Sequence, residues 1–321
     1  PGYGSFFWRD GYITGAVGQF AADNNISESY RMFKGSIVAL LTPFKDGEVD
    51  ERAFTDLINW VIESGSDGVV PCGTTGESAT LTHAEHHRVV ELCVEVVNKR
   101  VPVIAGTGSN STTEAIGLTR HAAAAGADGA LLLSPYYNKP TQEGLYRHFM
   151  AIADEVEIPQ VVYNIPGRTA VEILPATMAR LAVHPNIVGV KDAVGNLQKT
   201  TDVISQCGPE FAILSGDDPL TLPMMAIGGH GVITATANVI PGRMAAMVRA
   251  AMEGDWVEAR RVHYEMAPLW EAMFLETNPI PVKTACAMMG KMEEEFRLPL
   301  CPMANMNREK LQMALKKAEI I

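Results

Sequence analysis

Lys191 closes the run Ile187-Val188-Gly189-Val190, apolar in the way that fills a buried parallel strand. A lysine there is either a solvated strand end or an amine held against a dry wall. In the second case burial disfavours the ammonium, and the neutral amine becomes a nucleophile toward carbonyl carbon. Other apolar runs end in residues that suit such chemistry. They are Gly73-Thr74-Thr75-Gly76-Glu77-Ser78, Gly106-Thr107-Gly108-Ser109-Asn110, Pro135-Tyr136-Tyr137-Asn138 and Tyr163-Asn164-Ile165-Pro166-Gly167-Arg168-Thr169. Two more are Ser215-Gly216-Asp217-Asp218 and Ile233-Thr234-Ala235-Thr236. Brought to one face, these residues point to imine formation on a keto compound bearing carboxylates. The lysine would form the imine and a tyrosine would move protons. Hydroxyls or backbone amides would hold one anion, and arginine would grip a second through its planar fork.

The elements that must gather these ends alternate regularly. Strands are expected at 36–41, 68–73, 102–106, 129–134, 159–164, 187–191, 211–216 and 231–236, short and apolar on both faces. Segments with helical spacing lie between them, such as Phe54, Leu57, Ile58, Val61 and Ile62. Thr82-x-x-Glu85 and Ser111-x-x-Glu114 both read as capping boxes. Strand starts recur every 20 to 34 residues, the length of a strand–helix unit, and no GxGxxG opens the first helix. The expected fold is a (β/α)8 TIM barrel over 32–254, whose chemistry gathers at the carboxyl ends of the strands. A helical appendage over 255–321 follows, with helices at Asp255 to Glu276, after Asn278, and at Asn307 to Glu319, broken near Pro279, Pro281 and Pro299.

Composition narrows the classes further. With 321 residues, 47% hydrophobic and 20% charged, the chain reads as an ordinary globule able to bury a large core. A formal net charge of -11 disfavours nucleic acid, and no apolar stretch approaches the about 20 residues that span a bilayer. Five scattered cysteines without a CxxC pair favour a reducing compartment, with the cytoplasm as the default. Residues 1–31 lack a strand or helix period and the layout of a signal peptide. They read as an extension outside the native fold, with Met32 as the natural start and a transit peptide as the alternative.

Each motif also has a plainer reading. Gly73 to Gly76 could be a tight turn or a phosphate cradle, although a cradle wants a lysine after its glycines and Glu77 would repel phosphate there. Tyr136 and Tyr137 could be packing aromatics, and Arg168 a solvated charge. Lys139 and Lys283 are rival amines, one in a Pro-flanked loop and one in the helical appendage. His83, His86 and His87 sit at spacings that could place two imidazoles on a metal, but no third ligand is evident, so structural or surface roles are expected. The start of that helix could instead receive a carboxylate effector.

From about Met32 to the C-terminus the chain resembles the dihydrodipicolinate synthase family, within the pyruvate-dependent superfamily that includes N-acetylneuraminate lyase. The resemblance rests on GTTGES, PYYN, YNIPGRT, GVKDA, SGDD and NPIPVK in family order. It implies condensation of pyruvate with L-aspartate 4-semialdehyde in lysine (diaminopimelate) biosynthesis, with no metal or organic cofactor. By the same likeness Lys191 carries the pyruvate Schiff base. Tyr163, Thr74 and Tyr137 form a proton relay, with Tyr137 serving a neighbouring subunit. Thr75 holds the pyruvate carboxylate, Arg168 receives that of the semialdehyde, and Ile233 makes a backbone contact. Ser78, Ala79, His83, His86, Asn110, Glu114 and Tyr136 match positions that bind L-lysine as feedback inhibitor. A homotetramer of tight dimers is implied as well. The rival readings are a related aldolase, of the N-acetylneuraminate lyase or 4-hydroxy-2-oxoglutarate type, and a non-catalytic sensor of a small acid.

Overall fold

Runs of Val, Ile and Leu become the strands of one parallel sheet in the computed structural model, which describes residues 33–321. The expectations for residues 1–31 and for Met32 lie outside the described residues. The strands are β1 (Gly35–Ala39), β4 (Gly68–Val70), β5 (Ile104–Gly106), β6 (Gly129–Leu133) and β7 (Gln160–Asn164), then β8 (Ile187–Asp192), β9 (Ala212–Ser215) and β10 (Gly231–Thr234). The short antiparallel hairpin β2 (Phe44–Lys45) and β3 (Glu48–Val49), unforeseen from the pattern, follows β1. The ladder runs β4-β1-β10-β9-β8-β7-β6-β5. A parallel bridge between Val69 and Val103 joins its two edges, so the expected barrel is what forms.

Helices return the chain between strands. They are α1 (Glu51–Glu63), α2 (His83–Val97), α3 (Thr112–Ala125), α4 (Gln142–Glu155), α5 (Pro166–Thr169) and α6 (Pro175–Leu181), then α7 (Leu197–Cys207), α8 (Thr221–Ala226) and α9 (Pro241–Met252). Ile37, Val70, Ile104, Leu131, Val161, Leu214 and Ile233 fill the barrel interior, while two larger clusters lie between strands and helices.

Several elements depart from the sequence pattern for local reasons. The run 68–73 stops pairing at Val70 because Cys72 turns to φ +55, off the strand conformation. The run 231–236 ends at Thr234 in a 3-10 turn over Thr236–Asn238. The capping box at Thr82 and Glu85 forms, but the one expected at Ser111 does not. Glu114 instead accepts hydrogen bonds from the Ser109 hydroxyl and from His83 Nε2, so its carboxylate never reaches back to the cap.

Three C-terminal helices follow, α10 (Trp256–Met273), α11 (Ile280–Met288) and α12 (Asn305–Lys317). Pro281 does not break α11; it lies in the first turn, where a missing N–H has no partner to lose. Leu269, Trp270, Ile280 and Leu311 share one cluster with Val38, Leu40 and Phe54 of the barrel. The expected C-terminal helices thus follow the barrel and pack onto its core. Among the described residues no helix is long and apolar enough to cross a membrane.

One irregularity positions the site. Between β7 and β8 the register steps, with Gln160 facing Ile187 but Val161 facing Gly189, so Val188 is an extra residue. Side chains alternate faces along a strand, and an inserted residue reverses the alternation beyond it. Val188 and Tyr163 both join the interior cluster, and Lys191 follows opposite Tyr163. Gly189 permits the close approach: a Cβ there would lie 2.6 Å from the Ala212 carbonyl oxygen. Gly189→Ala should therefore lose about 1–3 kcal/mol of unfolding free energy through overpacking. Urea denaturation checks this, and an unchanged midpoint would mean that β8 and β9 can spread without cost.

Candidate active site

Lys191 lies on β8 directly opposite Tyr163 on β7, and its Nζ stands 4.3 Å from the centroid of the Tyr163 ring. Only 6% of the residue is exposed. Among the described residues no carboxylate comes within ion-pair distance of Nζ. Burial is the main cause that lowers its pKa, to about 8; nearby Asp218 opposes the shift and Arg168 adds to it. The sequence left open whether this amine is desolvated. It is.

Room for the side chain comes from Gly216, where a Cβ would stand 3.1 Å from Lys191 Cε and 2.9 Å from the Ala193 Cβ. A cavity of about 70 Å³ opens above the amine. Its walls include Thr74, Thr75, Tyr163, Arg168, Lys191 and Ile233, drawn from the loop after β4, from β7 and the turn of α5, and from β8 and β10. Burial pushes the Tyr163 phenol above its ordinary range, so the hydroxyl keeps its proton and can donate it. Tyr137 does not line this cavity; it is 89% exposed, with φ +71.

Wall residues missed as site members include Asp218, Phe274 and Asn278. Asp218 is buried and accepts from the Thr236 backbone N–H at 3.1 Å and from the Thr236 hydroxyl. Burial raises its pKa. Asn278 Nδ2 donates to Thr75 Oγ1 at 3.0 Å, and its backbone carbonyl accepts from Arg168 Nη2 at 3.0 Å. SGDD and NPIPVK were the available signals for Asp218 and Asn278. For Phe274, near the end of a helix, we find none.

A second cavity, of about 410 Å³, shares Thr74, Arg168 and Asn278 with the first. Ser78, Ala79, His83, His86, Glu114 and Tyr136 line it. Asn110 stands behind that wall and donates from Nδ2 to the Tyr136 carbonyl at 3.3 Å. Hydrogen bonds from Ser109 first, and then from His83, hold the Glu114 carboxyl below its ordinary range. His86 Nε2 lies 2.8 Å from the Gly106 carbonyl, so that nitrogen carries the proton. Burial lowers the pKa of His86.

His83 pairs with Glu114, His86 with a carbonyl, and His87 stacks on His121 at 3.7 Å, so each imidazole has a partner of its own. Among the described residues no group of His, Cys, Asp and Glu could hold a metal. Lys139 lies in an exposed turn. Lys283 is fully buried but bound to Glu77 at 2.6 Å, so it carries a partner that Lys191 lacks.

Residues 32–318 match the model of the dihydrodipicolinate synthetase family. A 4-hydroxy-tetrahydrodipicolinate synthase of Thermodesulfovibrio yellowstonii is 58% identical over 290 residues, covering 90% of this chain and 100% of the relative. The dihydrodipicolinate synthase of Aquifex aeolicus, 52% identical, superimposes with a TM-score of 0.89 over 90% of this chain and 99% of its own. A chloride-inhibited enzyme of Acinetobacter baumannii solved with pyruvate is 48% identical, with a TM-score of 0.88 over 90% and 99% of the two chains. The enzyme of Cyanidioschyzon merolae solved with lysine bound is 40% identical, with a TM-score of 0.88 over 90% and 99%. The chain belongs to this family and is a lyase.

The buried amine makes a prediction of its own. Reductive methylation of Lys191, followed by peptide mapping, should rise with pH to half its maximum near pH 8, because only the neutral amine reacts and its pKa is about 8. A profile that rises only in the ordinary lysine range, about 10.4, would show that burial does not strip the proton.

Proposed function

We propose that this protein is a 4-hydroxy-tetrahydrodipicolinate synthase that condenses pyruvate with L-aspartate 4-semialdehyde, on the diaminopimelate route to lysine. The observation that carries the reading is Lys191, a buried amine without a carboxylate partner among the described residues, facing a phenol that keeps its proton. Lys191 Nζ attacks the keto carbon of pyruvate and water leaves, forming an imine. Loss of a methyl proton from the protonated imine gives an enamine, whose carbon then attacks the aldehyde; the amino group of the semialdehyde then displaces Nζ, closing the ring and releasing Lys191. The imine nitrogen is the electron sink, so the step calls for no metal or organic cofactor. Tyr163, Thr74 and Tyr137 move the protons, and Thr75 holds the pyruvate carboxylate with Ile233 contributing a backbone contact. Arg168, at the shared edge of the two cavities, receives the carboxylate of the semialdehyde.

The second cavity suits L-lysine as a feedback inhibitor. Glu114, kept ionised by Ser109 and His83, would meet an ammonium. Asn110 and Tyr136 would hold the carboxylate, with Ser78, Ala79, His83 and His86 completing the walls. The relative solved with lysine bound supports this assignment, and the one solved with pyruvate supports the first substrate. The exposure of Tyr137 fits a side chain that serves a neighbouring subunit, in a homotetramer built as a dimer of dimers. We place the enzyme in the cytoplasm, where its five free cysteines would stay reduced.

Borohydride reduction in the presence of pyruvate tests the central step. Peptide mapping should find the added mass on Lys191, whereas a small-acid sensor would gain none. Lys191→Arg should abolish turnover, because guanidinium stays protonated and cannot form the imine. Arg168→Ala should leave imine trapping intact but lower kcat/KM for the semialdehyde by the loss of a charged hydrogen bond, about 1.5–3 kcal/mol. Unaltered semialdehyde kinetics would favour the related-aldolase reading. L-Lysine should slow turnover, and indifference to a saturating dose would remove the inhibitor assignment.

A further inference from the structure

We infer that the buried ion pair between Glu77 and Lys283 is a positioning element that sets the loop from Thr74 to Ala79 between the two cavities, an inference that rests on the function proposed above. Glu77 Oε1 lies 2.6 Å from Lys283 Nζ, and both side chains are fully buried. The pair is walled from water by the Phe44 ring, 4.1 Å from Nζ, and by Phe296 on the other side. Glu77 also accepts from the Arg297 backbone N–H at 3.4 Å.

The place of Glu77 in the loop gives the pair its meaning. It is held at φ +53, a left-handed conformation that a non-glycine residue keeps only when its surroundings enforce it. On one side of it, Thr74 and Thr75 wall the cavity of Lys191. On the other side, Ser78 and Ala79 wall the second cavity. The same C-terminal segment supplies another tether, because Asn278 donates to Thr75. Lys283 lies one turn further on, in α11, with its backbone N–H bonded to the Pro279 carbonyl. The loop is thus pinned twice to one rigid helix start, once on the catalytic side and once at the boundary between the cavities.

Stability alone does not call for this arrangement. Buried ion pairs can often be replaced by apolar side chains without loss, since desolvation offsets their attraction. What a charged pair supplies and an apolar pair does not is a directional contact that fixes a carboxylate, and with it the backbone that carries it. Lys283 lines neither cavity and Glu77 only the second, so neither reaches the reacting atoms. They are positioning residues.

The test uses the full chain with Glu77→Gln, Lys283→Met and the double variant E77Q/K283M. The double variant removes both charges and leaves no unpaired ion to unfold the protein. Four quantities are measured, namely pyruvate trapped on Lys191, kcat, L-lysine affinity by calorimetry, and Tm. The expected result is that trapping persists in every folded variant, while kcat falls by about tenfold or more through misplaced loop residues. L-Lysine affinity should weaken several-fold in the same variants. A purely structural pair would lower Tm and move neither functional readout. A folded double variant with kcat and L-lysine affinity both within twofold of the unmodified protein would overturn the inference, as would a loss confined to one cavity. Absence of trapped pyruvate in the unmodified protein would instead overturn the proposed function, and the inference with it.

Discussion

The removal of one ammonium from water organises the rest of this molecule. Lowering the pKa of Lys191 from 10.5 to about 8 corresponds to an ammonium destabilised by on the order of 3 kcal/mol. The barrel sustains that by closing apolar strands around the side chain and keeping carboxylates out of ion-pair reach. Asp218 is near enough to oppose the shift, but its Oδ2 is engaged by the Thr236 backbone N–H and hydroxyl. Tyr163 offers the amine a ring face rather than an anion. An amine in such surroundings gives up its proton more readily than an ordinary lysine, and the neutral form is the nucleophile toward carbonyls.

Two buried lysines in the same chain show what the surroundings decide. Lys283 is as thoroughly desolvated as Lys191, and burial lowers its pKa too, but Glu77 bonds to it and opposes the shift. Among the described residues Lys191 has no such partner, and it opens onto a cavity. Burial alone therefore does not single out a candidate nucleophile. Burial without a counter-ion, beside a space that a small molecule can enter, does.

The C-terminal helices complete the site rather than decorate it. Asn278 binds both Thr75 and Arg168, and Lys283 binds Glu77, so the loop after β4 is held from outside the barrel. That loop has cavities on both flanks, with Thr74 common to the two. The two cavities thus share one backbone segment, Thr74 to Ala79, as part of their walls.

The barrel, the strand ends and the residues that wall the first cavity were legible from local pattern. Short apolar runs at the spacing of a strand–helix unit have few other ways to bury both faces. The register step at Val188 was not legible, since Ile187 to Val190 is apolar throughout and carries no alternation that would betray an extra residue. The second capping box was misread because Glu114 had a stronger use, between Ser109 and His83, that no local spacing reveals. The Glu77–Lys283 pair was unreadable for a related reason, as its members are brought together only when the C-terminal helices pack onto the barrel. By itself the sequence determined which residues could do the chemistry and the architecture that gathers them. Tertiary structure alone decided which lysine lost its counter-ion and which kept one, because desolvation and pairing depend on what surrounds a charge in space.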